Sequence, residues 1–211
     1  MQLVDAQIDR YLTRLAAHDD PVLGEMHALA AEKNFPIIGP QVGRLISLLA
    51  STAGAKRVLE LGSGFGYSAW WFGHAVGADG HITLTEGAED NCERARDYLT
   101  RAGLIDRVSI HCGNGLEIAQ QDDSPVDIVF CDIDKEDYPQ ALPIALERLR
   151  VGGLFIIDNM LWQGRVIDAN DTTPTTAGVL ELTRLLQEDS RFQTTLLPVR
   201  DGVMVARRTG A

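Results

Sequence analysis

Charged and polar side chains directly follow two apolar segments in the second half of the chain. Asp132, Asp134 and Lys135 come after "VDIVFC", and Asp158 and Asn159 come after "GLFII". In a parallel sheet the carboxyl ends of neighbouring strands face one crevice, so Asp132, Asp158 and Asn159 are predicted to meet there. Two carboxylates and an amide suit a hard divalent cation such as Mg²⁺. Acidic residues at strand ends also serve as helix caps or solvated loop residues, and that interpretation stays open, above all for Asp134.

A glycine-rich segment, "VLELGSGFGYS", offers a second ligand site where a strand-like run passes into a helix. Gly62 and Gly64 allow a tight turn and a close approach to a ligand. The residue three after Gly64 is Tyr67, so the dinucleotide spacing G-x-G-x-x-G is not met. Glu60 suits a ligand with a cationic amino-acid portion, and Glu86 is placed to accept hydrogen bonds from ribose hydroxyls. S-adenosylmethionine combines these features, while a nucleotide site and a purely structural turn remain alternatives.

Short apolar runs alternate with helical segments from residue 56 onward. The runs are "RVLEL", "HITLT", "RVSIHC", "VDIVFCD" and "GLFIID", and the helical segments include 89–102 and 137–149. This order predicts an α/β fold with a doubly wound, mostly parallel sheet. The tail "RFQTTLLPVRDGVMVARR" predicts an antiparallel hairpin with its turn at 200–202. Helices are predicted over 3–17, 21–33 and 40–53, the second with Asp20 as its cap.

Composition limits the class of protein. A chain of 211 residues with 45% apolar content predicts one domain over 1–211, and it contains no unbroken apolar run long enough to span a bilayer. We therefore expect a soluble, cytoplasmic protein with no membrane partner. A net charge of −11 without a basic cluster argues against nucleic acid as a partner. The three cysteines show no CxxC spacing and are expected to be reduced core residues.

Several segments together resemble a known family. "VLELGSGFGYS", "DIVFCDIDKEDY", "GGLFIIDNMLWQGRV" and "LLPVRDGVMVARR" are similar to segments of the cation-dependent O-methyltransferases of the catechol and caffeoyl-CoA group, particularly small bacterial members. The resemblance runs from "FPIIGPQVGRLISLL" to the C-terminal hairpin. It implies the Rossmann-like class I methyltransferase fold: a mostly parallel seven-stranded sheet, an antiparallel C-terminal hairpin and extra N-terminal helices. Those helices, within 1–54, would contribute to the acceptor site or to the contacts of a homodimer.

The resemblance also implies roles for individual residues. Asp132, Asp158 and Asn159 fall on positions that bind the divalent metal, and Lys135 falls on the lysine thought to act as general base. The implied S-adenosylmethionine-binding positions are Ile38, Glu60, Gly62, Gly64, Tyr67, Ser68, Glu86, Gly115 and Asp132. Asp134 and Trp162 are expected beside a small-molecule acceptor.

The resulting prediction is an O-methyltransferase that uses S-adenosylmethionine and Mg²⁺, or another divalent cation, on a catechol-like or other vicinal-hydroxyl small molecule. The rivals are a metal-independent methyltransferase acting on another small acceptor and a noncatalytic donor-binding protein. A nucleotide-dependent oxidoreductase is disfavoured by the glycine spacing.

Overall fold

A single seven-stranded sheet organises the protein. The computed structural model describes residues 4–210, and its strand order is β3-β2-β1-β4-β5-β7-β6. The first five strands pair in parallel, and β7 runs antiparallel to both β5 and β6. The predicted fold and hairpin are thereby confirmed. The strands are β1 Arg57–Leu61, β2 His81–Glu86, β3 Val108–Cys112, β4 Val126–Cys131, β5 Leu149–Ile157, β6 Phe192–Leu197 and β7 Val203–Arg208.

Helices precede the sheet and connect its parallel strands. The second predicted helix has the expected bounds, because the Asp20 carboxylate accepts hydrogen bonds from the Val22 and Leu23 amides at 2.9 and 3.1 Å. The first begins at Ala6, and residue 3 lies outside the described residues. None of the helices within 4–210 is long and apolar enough to cross a membrane. They are α1 Ala6–Ala16, α2 Pro21–Lys33, α3 Gly39–Thr52, α4 Tyr67–Ala75, α5 Glu89–Arg101, α6 Gly115–Ala119, α7 Tyr138–Arg148 and α8 Pro174–Glu188, with 3₁₀ turns at Ile105–Arg107, Lys135–Asp137 and Trp162–Ile167.

The two faces of the sheet support two apolar layers. Side chains alternate along β1, so Val58 packs in the layer formed with α2 to α5, while Leu59 and Leu61 pack in the layer formed with α6 to α8. Because helices cover both faces, the loops that leave the carboxyl ends of the parallel strands gather at one edge of the sheet. This edge is where ligands bind in open α/β sheets.

The cysteines differ from expectation. Cys92 in the first turn of α5 and Cys112 at the end of β3 form a disulfide with a Cα–Cα distance of 6.2 Å, whereas Cys131 is free and buried. The prediction of reduced cysteines is wrong for the first two. Cys112 lies opposite Glu86 in the β2–β3 register, and α5 follows β2 directly. The fold therefore joins two residues whose separation of 20 gave no local signal.

Candidate active site

A cavity of about 840 Å³ opens at the carboxyl ends of the parallel strands. Loops after β1, β2, β3, β4 and β5 contribute to its wall, together with the segment before α3 and the β6–β7 turn. The structure brings together thirteen of the fourteen predicted site residues in this wall, and the exception is Glu60. The thirteen are Ile38, Gly62, Gly64, Tyr67, Ser68, Glu86, Gly115, Asp132, Asp134, Lys135, Asp158, Asn159 and Trp162.

The glycine loop after β1 forms one end of the cavity. Gly62 has a φ of 77°, and a Cβ there would lie 2.5 Å from the carbonyl oxygen of Asp132. Only glycine lets this loop adopt its left-handed conformation so close to the end of β4. The loop then enters α4 at Tyr67. Its backbone is thereby held against the strand that carries Asp132.

Glu86 fixes the other side of the glycine loop. One carboxylate oxygen accepts a hydrogen bond from the Gly64 amide at 2.8 Å, and the other accepts from the Ala88 amide at 2.9 Å and the Asn91 side chain at 3.1 Å. A carboxylate offers about four lone-pair positions, so one remains after these three donors. Glu86 can therefore accept a further hydrogen bond from a ligand hydroxyl.

Glu60 lies behind the cavity wall. Its side chain is fully buried, and one carboxylate oxygen accepts a hydrogen bond from the Ser63 hydroxyl at 2.9 Å. Burial raises the pKa of Glu60 to about 7. The other oxygen, Oε1, has no hydrogen-bond partner among the described residues. The sequence prediction missed Ser63, which lines the cavity between Glu60 and the ligand space.

Two carboxylates follow β4 and β5 at the centre of the site. Asp158 is only 3% exposed, and its Oδ1 lacks a partner among the described residues. Burial, followed by the proximity of the Asp132 carboxylate, raises the pKa of Asp158 to about 7. A buried, unpartnered carboxylate oxygen beside a second carboxylate is costly unless a cation compensates it. This feature fits the predicted metal site.

Asn159 is the third residue of the predicted metal site, and its loop contacts a residue that the sequence prediction missed. Its backbone has a left-handed φ of 57°, and the Asp201 carboxylate in the β6–β7 turn accepts a hydrogen bond from the Gln163 amide of the same loop. From the sequence, Asp201 was interpreted only as a turn residue. Within 4–210 there is no group of three or more His, Cys, Asp or Glu that could hold a metal ion. The candidate set contains two carboxylates, and its third member is an amide.

Lys135 lies beside the carboxylates. Its ammonium donates to Oδ1 of Asp132 at 2.7 Å and to the carbonyl of Ile133 at 3.1 Å. The same nitrogen lies 5.1 Å from the ring centre of Tyr138 and 5.7 Å from that of Trp162, and the side chain is 11% exposed. The ammonium is thus confined between an acidic residue and two aromatic rings at the cavity wall.

The remaining wall is mixed in character. Apolar surface comes from the segment before α3, and polar groups come from the loops after β3 and β5. The sequence analysis assigned no role to these residues, although several lie in the segments that carry the family resemblance. They include Phe35, Pro36, Ile37, Asn114, Asp137, Gln163 and Thr175.

Comparison with known proteins identifies relatives over almost the whole chain. A family model described as O-methyltransferase matches residues 13–209. A catechol O-methyltransferase from Niastella koreensis is 31% identical over 196 residues, which cover 90% of this chain and 89% of that protein.

Two crystal structures have closely similar folds. The O-methyltransferase TomG from Streptomyces achromogenes, in complex with SAM, has a TM-score of 0.89 and 29% identity, covering 97% of this chain and 96% of that one. An O-methyltransferase from Bacillus cereus, in complex with SAH, has a TM-score of 0.88 and 29% identity, covering 96% and 97%. The resemblance inferred from the sequence motifs is confirmed.

Proposed function

The chain belongs to the O-methyltransferase family. We propose that it transfers a methyl group from S-adenosylmethionine to one hydroxyl of a catechol-like small molecule with the aid of a divalent cation. The observation that carries the proposal is the unpartnered, buried Oδ1 of Asp158 beside Asp132, in the same cavity as the glycine loop.

The glycine-loop end of the cavity supports binding of the methyl donor. Glu86 retains an acceptor position for a ribose hydroxyl, and the loop backbone approaches the ligand space without side chains at Gly62 and Gly64. The buried carboxylate of Glu60 favours a positively charged group nearby, and the donor carries an ammonium and a sulfonium. Two solved relatives contain SAM or SAH.

The other end supports binding of the cation and the acceptor. Asp132, Asp158 and Asn159 would hold the cation through oxygen atoms, the ligand type that Mg²⁺ prefers. A divalent cation bound there supplies positive charge that favours the ionised form of an acceptor hydroxyl. Trp162 provides a flat apolar wall suited to an aromatic ring.

Lys135 is the residue placed to hold or move the acceptor proton at its Nζ atom. Its contact with Asp132 fixes the ammonium beside the carboxylates, and the rings of Tyr138 and Trp162 limit its access to water. Most of the rate acceleration would come from holding the two substrates at attack distance.

The charge of the wall constrains the acceptor. Among the described lining residues, Lys135 is the only base, against six acids: Glu86, Asp132, Asp134, Asp137, Asp158 and Asp201. A negatively charged wall repels polyanions. We therefore propose a neutral or cationic acceptor rather than one that carries a CoA tail.

The test is methyl transfer from S-adenosylmethionine to a panel of catechols, including caffeate and a catecholamine, with Mg²⁺ and with excess EDTA. The proposal expects transfer that EDTA abolishes and added Mg²⁺ restores. Transfer that survives EDTA would support the metal-independent alternative. Donor binding in calorimetry without transfer to any acceptor would support the noncatalytic one.

Asp158→Ala separates the donor site from the metal site. We expect donor affinity within about twofold of the wild type but turnover reduced by a factor of roughly 10³ or more, since the variant lacks one of two candidate carboxylate ligands. Equal turnover in the variant would reject the metal assignment.

We also propose a homodimer, because apolar side chains are exposed on α1 and α3. Ile8, Tyr11 and Leu15 are exposed on α1, at a spacing that places them on one face of the helix. On α3, Arg44 donates to the carbonyls of Ala16 and Ala17 at the end of α1, and the exposed Leu48 lies one turn further along the same face. Analytical ultracentrifugation of the wild type and of Leu15→Glu should show a dimer and a weakened dimer, respectively, whereas a monomeric wild type would reject this proposal.

A further inference from the structure

A second cavity, of about 430 Å³, lies on the face of the sheet that α6 covers only in part. Residues of β1, β2 and β3 form its floor, and the segment from the last turn of α6 to the start of β4 forms its side. α6 has only five residues, whereas α5, on the opposite face, has thirteen. The short helix therefore leaves a space whose volume is typical of small-molecule sites.

The floor of this second cavity is polar. Strands that helices cover on both faces are mostly apolar throughout, and on the face toward α5 the second strand does bury Ile82 and Leu84. On the cavity face, β2 and β3 instead carry hydrogen-bonding side chains, which are His81, Thr83, Ser109 and His111. Nε2 of His81 and the hydroxyl oxygen of Ser109 lie 3.0 Å apart, so the two strands hold these groups together.

A buried arginine also lines the second cavity. Arg148, the last residue of α7, is 3% exposed. Its guanidinium donates to the carbonyls of Ala119 at 2.8 Å and Ser124 at 3.0 Å, and to the Asp122 carboxylate at 3.0 Å. A guanidinium has five N–H groups, so two remain after these three bonds to the described residues. Arg148 is thus a positive charge whose position is fixed by the protein.

The charge of this lining is opposite to that of the active-site wall. Arg57 and Arg148 are permanently charged, and Asp122 is the only acid among the described lining residues. His81 and His111 each offer an N–H donor whether or not the ring is protonated. In a chain with a net charge of −11, this cavity combines an excess of positive charge with several donors.

The neighbouring acid Asp127 does not cancel that charge. Its carboxylate lies outside the lining and accepts hydrogen bonds from the amides of Lys56 at 2.7 Å and Arg57 at 2.8 Å. It also forms an ion pair with Arg150 at 2.5 Å. The negative charge of Asp127 is therefore already compensated by its own partners.

We propose that the second cavity binds a small organic anion: the two arginines and two histidines hold a phosphate or carboxylate head group, and Leu59 and Ile118 contact a short apolar body. The inference is independent of the proposed function, because no residue of this lining belongs to the active-site cavity.

The experiment is an amide NMR titration of the isotopically labelled full chain, saturated with SAH and free of divalent metal. The probes are phenyl phosphate, benzoate and the uncharged benzamide. For at least one anion we expect saturable shifts at the amides of His81, Ser109, His111 and Ile118, with a Kd on the order of 1 mM, which suits ligands of this size. Benzamide should give no saturable shifts. The tighter of the two anions identifies the head group.

Three variants locate the site and test the role of charge. Arg57→Gln should weaken anion binding about 5- to 10-fold, because it removes a charged donor. The matched control is Arg96→Gln, which loses the same charge from an exposed position on α5, across the sheet, and should bind within about twofold of the wild type. Asp122→Asn removes the only acid of the lining and should tighten binding about threefold, a change that loss of folding cannot produce.

Several results would overturn the proposal. The absence of saturable shifts with either anion, or saturable shifts confined to other amides, would reject the site. Equal binding of benzamide would show that charge does not select the ligand. If Arg57→Gln binds as tightly as Arg96→Gln, or Asp122→Asn binds more weakly than the wild type, the anion is not held by this lining.

Discussion

A glycine in α8 controls the position of the segment that carries Lys135. A Cβ built on Gly178 would lie 2.1 Å from the carbonyl oxygen of Lys135 and 2.9 Å from the Cα of Glu136. Both are backbone atoms, so no side chain can rotate away. Gly178→Ala must therefore separate α8 from the 3₁₀ turn Lys135–Asp137 by more than 1 Å to reach an ordinary contact of about 3.4 Å.

The expected change in the free energy of unfolding of Gly178→Ala combines two opposing effects. Alanine in a helix interior is favoured over glycine by about 0.5–1 kcal/mol, whereas forcing an additional methyl group into a packed interface costs about 1–3 kcal/mol. We expect a net loss of about 1–2 kcal/mol in the free energy of unfolding. For a domain of this size, that corresponds to a fall of roughly 2–8 °C in Tm. Displacement of Lys135 by about 1 Å should also lower turnover by up to about 10²-fold.

Gly24 provides the matched control. It lies within α2, and a Cβ there would meet no atom within 4 Å. Gly24→Ala should therefore be stabilised only by the higher helix propensity of alanine, which raises Tm by roughly 1–4 °C and leaves the activity unchanged. Thermal unfolding by circular dichroism and methyl transfer to the best catechol of the panel are measured for both variants. If Gly178→Ala is as stable and as active as Gly24→Ala, the reasoning from the close approach is refuted.

Three further predictions concern pH, the disulfide and the acceptor. The pKa of Glu60 is raised from 4.5 to about 7, so the native state retains a proton that the unfolded chain releases. Stability from this group is therefore full below pH 4.5 and is lost as pH rises to 7. In urea unfolding, the stability of the wild type minus that of Glu60→Gln should fall by on the order of 3 kcal/mol over this window, and a constant difference would contradict the assignment. The Cys92–Cys112 disulfide closes a loop of about 20 residues, so a reductant should cost the wild type about 3 kcal/mol and leave Cys92→Ser unaffected; equal responses would show that the bond contributes nothing. At low salt, a catecholamine should have a kcat/KM several-fold above that of a catechol carboxylate, and the ratio of the two values should decrease at high salt. Equal kcat/KM values at low salt would show that the negative charge of the wall does not select the acceptor.

The sequence alone determined the scaffold and the composition of most of the site. The alternation of apolar runs with helical segments specified the parallel sheet, because each run is short and its pattern is local. The groups at the carboxyl ends of β1, β2, β4 and β5 could be named for a similar reason: parallel strands end at the same edge, so motifs distant in the chain are predicted to converge.

Only the tertiary structure decided how those groups are supported and partnered. Asp201 accepts hydrogen bonds from the amides of Leu161 and Gln163 because β7 lies antiparallel beside β5, a contact that the Asp-Gly turn signal does not specify. Glu60 lies behind the cavity wall because the glycine loop places Ser63, which donates to the Glu60 carboxylate, on the cavity side. Cys92 meets Cys112 because α5 passes the end of β3. Local patterns encode element type and direction, whereas burial, hydrogen-bond partners and pKa shifts depend on which elements pack together.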